Sequence, residues 1–134
     1  MIFLDTSGIL ALAMEIDSFH AKAFEIMETA LAAREHILVH NYVLLESAAL
    51  IQSRIGKDAA VIFLERAALF DIVWVDSHLH DQAVEHLAQN GASKLSFVDV
   101  MSFLVMRSRG ITEFIGFDKH FIEAGFTQYD SQGV

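Results

Sequence analysis

The 134-residue chain has no cysteine and no proline. Without cysteine there is no disulfide and no thiolate metal site, so any metal must be held by oxygen or imidazole donors. Such a set favours Mg²⁺ or Mn²⁺ over structural zinc. Without proline, Gly8, Gly56, Gly91, Gly110 and Gly125 carry most of the punctuation. Positive charge is also scarce: nine Lys and Arg stand against 18 Asp and Glu, a formal charge of −9. That balance excludes a broad basic face for nucleic acid, but not a few local bases that grip phosphates.

Long apolar runs are missing too, although 54% of the residues are hydrophobic and the mean hydropathy is +0.41. Charges interrupt every run before the ~18 residues that would cross a bilayer. No basic region precedes Ile2-Phe3-Leu4, so the start does not read as a secretory signal, and a cytoplasmic location is expected. There are no repeats and no low-complexity segments. Residues 1–134 read as a single domain with a sizeable core.

The most informative stretch runs from Leu95 to Phe121. Between Phe97 and Met106 the only polar residues are Asp99 and Ser102, three apart and so on one face of a buried helix. Gly110 breaks that helix, and the β-rich run Phe114-Ile115-Gly116-Phe117 then ends in Asp118. A carboxylate in apolar surroundings costs several kcal/mol unless something compensates it. Ser96-Phe97-Val98-Asp99 also fits a capping box, and Asp118 is equally placed to cap the turn that follows it. The remainder of the chain has to decide between these roles.

Met1 to Asp5 reads as a buried strand ending in an acid. Thr6-Ser7-Gly8 turns it into a helix over 9–14, with Thr6 and Ser7 rather than Asp5 as the expected caps. An amphipathic helix over 18–33 and a strand over 36–39 follow. Asn41 is expected to cap a helix to Ile55 in which Glu46 and Ser47 are the only polar residues between Tyr42 and Ile51. Glu is rarely buried unpaired, so Glu46 reads as functional rather than as a snorkelling surface residue. A helix over 57–70, a strand over 71–76, a helix over 77–90, the buried helix over 95–109, a strand over 114–117 and an edge strand over 126–129 complete the order.

Short strands alternating with helices predict an α/β domain with a mainly parallel sheet of four to five strands. Ligands of such sheets gather beyond the strands' C-terminal ends, at a topological switch point. Asp5 and Asp118 lie at strand ends, and Glu46 and Asp99 lie early in helices on that same side, so four acids can converge on one cleft. Crowded carboxylates repel unless a cation neutralises them or they take up protons. Mg²⁺ or Mn²⁺ resolves that repulsion and equips the cleft to hydrolyse phosphodiesters.

Asp5 in Phe-Leu-Asp-Thr-Ser, Glu46 in Asn-Tyr-Val-Leu-Leu-Glu-Ser, Asp99 in Leu-Ser-Phe-Val-Asp-Val-Met-Ser-Phe and Asp118 in Phe-Asp-Lys-His-Phe-Ile-Glu-Ala-Gly-Phe stand in an order and spacing that resembles the motifs of PIN-domain ribonucleases. The likeness covers essentially the full length and is nearest to the VapC-type toxins of prokaryotic toxin–antitoxin pairs. It implies a three-layer α/β/α fold, a homodimer, a cognate antitoxin, and endonucleolytic cleavage of RNA by water with Mg²⁺ or Mn²⁺ and no covalent enzyme intermediate. By this resemblance Asp5, Glu46, Asp99 and Asp118 are the catalytic metal ligands, and Thr6, Ser7 and Ser102 support them by hydrogen bonds. Arg107, Arg109, Lys119 and His120 are candidate phosphate contacts. An antitoxin would be expected to insert a basic residue among the four acids.

A free-standing RNA-processing nuclease is the competing reading within that family. From other classes come a phosphoryl-accepting receiver domain, with Asp5, Asp76 and Lys119 as its set, and a catalytically silent protein-binding module. The receiver leaves Glu46 and Asp99 unexplained, and Asp76 more simply caps the helix that starts at Ser77. His78 and His80 lack the i, i+4 spacing of a helical zinc pair and read as a solvated loop and helix start. Tyr42 and Trp74 have rings able to stack on bases, but packing is the expected role.

Overall fold

A computed structural model describes residues 1–89 and 94–130. In chain order these form β1 (Ile2–Leu4), α1 (Thr6–Ala13), α2 (His20–Ala32), β2 (Ile37–His40), α3 (Asn41–Ile55), α4 (Lys57–Ala67), β3 (Asp71–Val73), α5 (Ser77–Gln89), α6 (Phe97–Ser108), β4 (Glu113–Ile115), α7 (Lys119–Glu123) and β5 (Thr127–Gln128). Asn90, the predicted end of α5, and Gly91 lie outside the described residues.

The five strands form one sheet in the order β3-β2-β1-β4-β5, and every pair is parallel. Ile2, Phe3 and Leu4 are fully buried, as a central strand covered on both faces requires. Parallel neighbours need crossover connections of one hand. The chain runs outward from β1 to β3, then returns to β4 and β5, so its helices fall on both faces. Packing follows that division: α1 lies against α2 and α3, α3 against α4, and α5 against α6. The result is the expected three-layer α/β/α arrangement.

Aromatic packing holds the part of the core between β1, β4, α6 and α7. The Phe121 ring, fully buried, lies 4.8 Å from that of Phe103, 4.9 Å from Phe114 and 6.2 Å from Phe3. It therefore fastens α7 to β1, β4 and α6. Gly110 closes α6 with φ +66°: Ile111 N–H donates to Met106 O at 2.8 Å and Gly110 N–H to Arg107 O at 3.2 Å. This paired closure favours a glycine at the left-handed position and turns the chain back toward β4.

Two departures from expectation have local causes. The strand expected over 71–76 stops at Val73, because Val73 pairs with His40, the last residue of β2. There the side chain of Asn41 takes over and accepts from Val75 N–H at 2.7 Å. Trp74, expected to pack, is 69% exposed. The second departure is in α3, where Val43, Leu44, Ser47 and Ile51 are buried but Leu45 is 70% exposed. An apolar composition does not bury this helix all round.

Candidate active site

The sheet order itself selects a place for chemistry. On one side of β1 lie β2 and β3, and on the other β4 and β5, so the strand order reverses between β1 and β4. In open α/β sheets the crevice beyond that reversal receives ligands. Asp5 follows β1 directly and Asp118 lies three residues past β4, while Asp5 N–H donates to Ile115 O at 3.0 Å and ties the two strand ends together.

Asp5 is almost fully buried. Contrary to expectation, it is the residue that caps α1: its Oδ2 accepts from Ser7 N–H at 3.4 Å and from the Ser7 hydroxyl at 2.8 Å. The Ser7 oxygen in turn accepts from Phe117 N–H at 2.8 Å. Ser7 thus orients Asp5 and binds the loop that carries Asp118. Gly116 permits this closeness, since a Cβ there would stand 3.0 Å from Ser7 Oγ and 3.1 Å from Asp5 Cβ.

Asp99 sits in the first turn of α6 and completes a capping box, its N–H donating to Ser96 Oγ at 3.1 Å while its Oδ2 accepts from Ser96 N–H at 3.4 Å. Asp118 caps α7, its Oδ1 accepting from His120 N–H at 2.9 Å. The His120 ring folds back over both acids, with Nδ1 at 3.1 Å from Asp118 Oδ1 and 3.9 Å from Asp99 Oδ2. One donor atom from each of Asp99, Asp118 and His120 falls within 4.8 Å of the others.

These acids feel one another. Burial pushes the Asp5 carboxyl up to about 7, opposed by the Ser7 hydroxyl bond and reinforced by the Asp99 charge. Asp99 is also raised, first by burial and next by the Asp118 charge, with Ser96 and His120 pulling the other way. Asp5, Asp99 and Asp118 therefore form one electrostatically linked group, overcharged unless a cation or protons enter it.

The other predicted site residues are placed differently. Glu46 is half-buried in α3, which packs against α1 and α6, but it makes no hydrogen bond or ion pair with a described residue. Thr6 Oγ1 is buried with no partner among the described residues, so it supports no carboxylate by a hydrogen bond. Ser102 serves a different residue: its oxygen lies 2.9 Å from His40 Nε2, and its hydroxyl donates to Val98 O at 2.9 Å.

Arg107 donates to Ala124 O at 3.2 Å and lies over the rings of Phe103 and Phe126, so it braces α7 instead of pointing to the acids. It stands eight residues beyond Asp99, and Arg109 ten, about 12 and 15 Å along the chain at helical rise. Arg109 lies beside His36 and Asp71, at the opposite end of the strands. Lys119, exposed and next to Asp118, stays at the site. Asp76 lies past edge strand β3, with β2 between it and β1, and accepts from Leu79 N–H at 2.8 Å. It caps α5 as expected, which removes the receiver-like set.

Two histidines were not legible as structural elements. His40, fully buried, caps α3 in place of Asn41 by accepting from Val43 N–H on Nδ1 at 3.2 Å. That bond leaves the ring proton on Nε2, which donates to Ser102 Oγ. Burial drives the His40 pKa down to about 3. His80, expected in solvent, is half-buried, with Nδ1 at 2.6 Å from the Tyr42 hydroxyl and its ring edge-on to Phe97. A histidine directly after an apolar strand was the sole sequence signal for His40, and nothing local announced its partner 62 residues away.

The PIN domain family model matches residues 2–127. The chain is 34% identical over 130 residues to the 23S rRNA-specific endonuclease VapC20 of Mycobacterium tuberculosis, in strains CDC 1551 / Oshkosh and H37Rv alike, spanning 96% of this chain and 97% of that protein. The crystal structure of Mycobacterium tuberculosis VapC20, described as a sarcin-ricin loop cleaving toxin, matches this fold with a TM-score of 0.82 at 33% identity, over 95% of this chain and 97% of that one. With the parallel sheet, the acids at its reversal point and a match that runs almost from end to end, the chain belongs to the PIN domain family.

Proposed function

We propose that the protein is a Mg²⁺- or Mn²⁺-dependent endoribonuclease, the toxin of a toxin–antitoxin pair, acting in the cytoplasm on the sarcin-ricin region of 23S ribosomal RNA. The observation that carries this reading is the linked trio Asp5, Asp99 and Asp118 beyond the strand reversal. The RNA target is drawn from the relative's stated substrate.

The donor set suits a hard divalent cation: three carboxylates whose mutual repulsion such an ion would relieve. Asp5, Asp99 and Asp118 would hold it, with Glu46 of α3 as a fourth ligand. When bound, the ion supplies charge neutralisation and Lewis acidity toward the phosphodiester. The chain's own part is positioning. Ser7 fixes Asp5, Ser96 fixes Asp99, and the His120 N–H fixes Asp118, so the carboxylates are set before substrate arrives. The Ser7 hydroxyl donates to Asp5 and accepts from Phe117 N–H, a positioning role, and the proposed attacking group is water. Lys119 is the basic residue best placed to meet a phosphate. An antitoxin and a second copy of the chain are the proposed protein partners, supported by exposed apolar residues on α3 and α4, among them Leu45, Ile55, Val61, Ile62 and Leu64.

The test is cleavage of purified 23S rRNA and of intact large ribosomal subunits with Mg²⁺, Mn²⁺ or EDTA, the cuts mapped by primer extension. One metal-dependent cut in the sarcin-ricin loop, lost in Asp99→Asn, is expected. Cutting unaffected by EDTA would refute the metal site, and cutting confined to other RNAs would refute the target.

A further inference from the structure

We propose that His120 Nδ1 is itself a donor to the cation, making the site a mixed nitrogen and oxygen one that favours Mn²⁺ over Mg²⁺. The proposal rests on the metal-dependent reading above and specifies its coordination.

The argument begins with the backbone. Because Asp118 caps α7 by taking the His120 N–H, the histidine is folded back over the carboxylate that precedes it. Phe121, the next residue, is locked in the core, and Arg107 holds Ala124 O at the far end of α7. The helix that carries His120 is thereby fixed at both ends. Its ring stands with Nδ1 3.1 Å from Asp118 and 3.9 Å from Asp99, and it makes no other hydrogen bond or ion pair among the described residues. Other histidines are committed elsewhere: His40 to Ser102 and Val43, His80 to Tyr42, His20 to Ala11 O, and His36 to Asp71.

Chemistry supplies the second half. Asp5, Asp99, Asp118 and Glu46 together bring four negative charges to a divalent ion, so a further donor gains by being neutral. Imidazole is neutral when it ligates, and it suits Mn²⁺ better than Mg²⁺, which demands oxygen and retains water. The plainer role for the ring, an ion-pair brace for Asp118 and Asp99, would hold the acids in place without touching the ion.

Pulsed EPR separates the two. Full-length, metal-stripped protein is loaded with one equivalent of Mn²⁺, and the electron spin-echo modulation is recorded for wild type, His120→Ala, His120→Asn and His80→Ala. Mg²⁺ competition against bound Mn²⁺ is measured in parallel, with far-UV circular dichroism to check folding. Imidazole nitrogen modulation is expected in wild type and His80→Ala and absent from both His120 variants. The preference for Mn²⁺ over Mg²⁺ should fall by at least ~10-fold in His120→Ala. His120→Asn, which places an amide oxygen near the position of Nδ1, should still bind Mn²⁺ without that modulation. Mn²⁺ bound to wild type with no nitrogen modulation would overturn the proposal and leave the metal-dependent reading standing. No Mn²⁺ binding to wild type would overturn both.

Discussion

Acidifying the metal-free protein should expose an opposition between His40 and Asp5. His40 is held neutral by burial, its pKa lowered from 6.5 to about 3. Below pH 6.5 the unfolded chain takes up a proton that the folded chain refuses until about pH 3, so stability falls as pH falls through that window. Between pH 7 and pH 4.5 the loss amounts to roughly 2–3 kcal/mol. Asp5 acts with the opposite sign. Its folded pKa of about 7 lies above the ordinary 3.8, so the folded state binds the proton first and gains about 3 kcal/mol over the same interval. The two oppose each other in wild type, with the raised Asp99 on the side of Asp5. Asp5→Asn removes the gain while keeping a competent helix cap, and should uncover the full His40 loss. The assay is urea denaturation followed by far-UV circular dichroism in EDTA, comparing Asp5→Asn with Asp5→Asn/His40→Gln from pH 7 to pH 4.5. Surface acids are common to both chains, so the difference between the curves isolates His40. Parallel curves would refute the reasoning, as would an NMR titration in which the His40 ring protonates near pH 6.

Further outcomes follow from particular contacts. Gly116→Ala places a methyl group 3.0 Å from Ser7 Oγ and 3.1 Å from Asp5 Cβ; RNA cleavage should fall sharply for about 1–3 kcal/mol of stability lost, read by a denaturant midpoint beside the cleavage rate. Gly8→Ala drives its Cβ to 2.7 Å from the Ile115 carbonyl oxygen, a backbone atom that cannot swing aside, and should lower the melting temperature more than Gly116→Ala does. Ser7→Ala removes the hydroxyl bond to Asp5, keeping only the longer backbone one, and leaves Phe117 N–H without its acceptor, so Mn²⁺ affinity measured by calorimetry should drop by about 10-fold or more. Asp99→Ala and Asp99→Asn should both abolish cleavage, but only the alanine should also cost the roughly 1 kcal/mol associated with a lost helix-terminal bond, read by chemical denaturation.

Three of the four acids expected in the cleft do come together, and they were legible because their positions follow from topology. Asp5 follows β1 directly, Asp118 lies just past β4 and Asp99 opens a helix, and a parallel sheet sends all such ends to one edge. Glu46 was inferred from a different argument, that a nearly apolar helix must be buried around its acid. That premise does not hold, because Leu45 beside it is 70% exposed. The arginines were misplaced for a related reason. Arg107 and Arg109 are close to Asp99 in sequence, but a straight helix converts that closeness into distance, at about 1.5 Å per residue. His120, expected as a phosphate contact, lies against Asp118 and Asp99, and that approach depends on the cap made by Asp118, a geometry that no spacing rule conveys. The His40–Ser102 bond joins residues 62 apart, and neither carries a local pattern that points to the other.

The sequence set capping against function for Asp99 and Asp118, and the structure shows why that opposition is false here. At the C-terminal edge of the sheet each crossover begins, so helix N-termini and strand ends meet in one place. An acid that caps a helix beside the β1–β4 reversal is already in the crevice, where a bound cation would call for acids. Asp5 caps α1, Asp99 completes the box of α6, and Asp118 caps α7. The caps also ease the cost of assembling the group: each carboxylate accepts from backbone N–H groups, and the positive ends of α1 and α6 face the acids they carry. Burial and mutual repulsion still raise Asp5 and Asp99 above their ordinary range, so the caps offset only part of the charge. The part left over is what a divalent cation would neutralise, so any cation affinity would follow from where the helices begin.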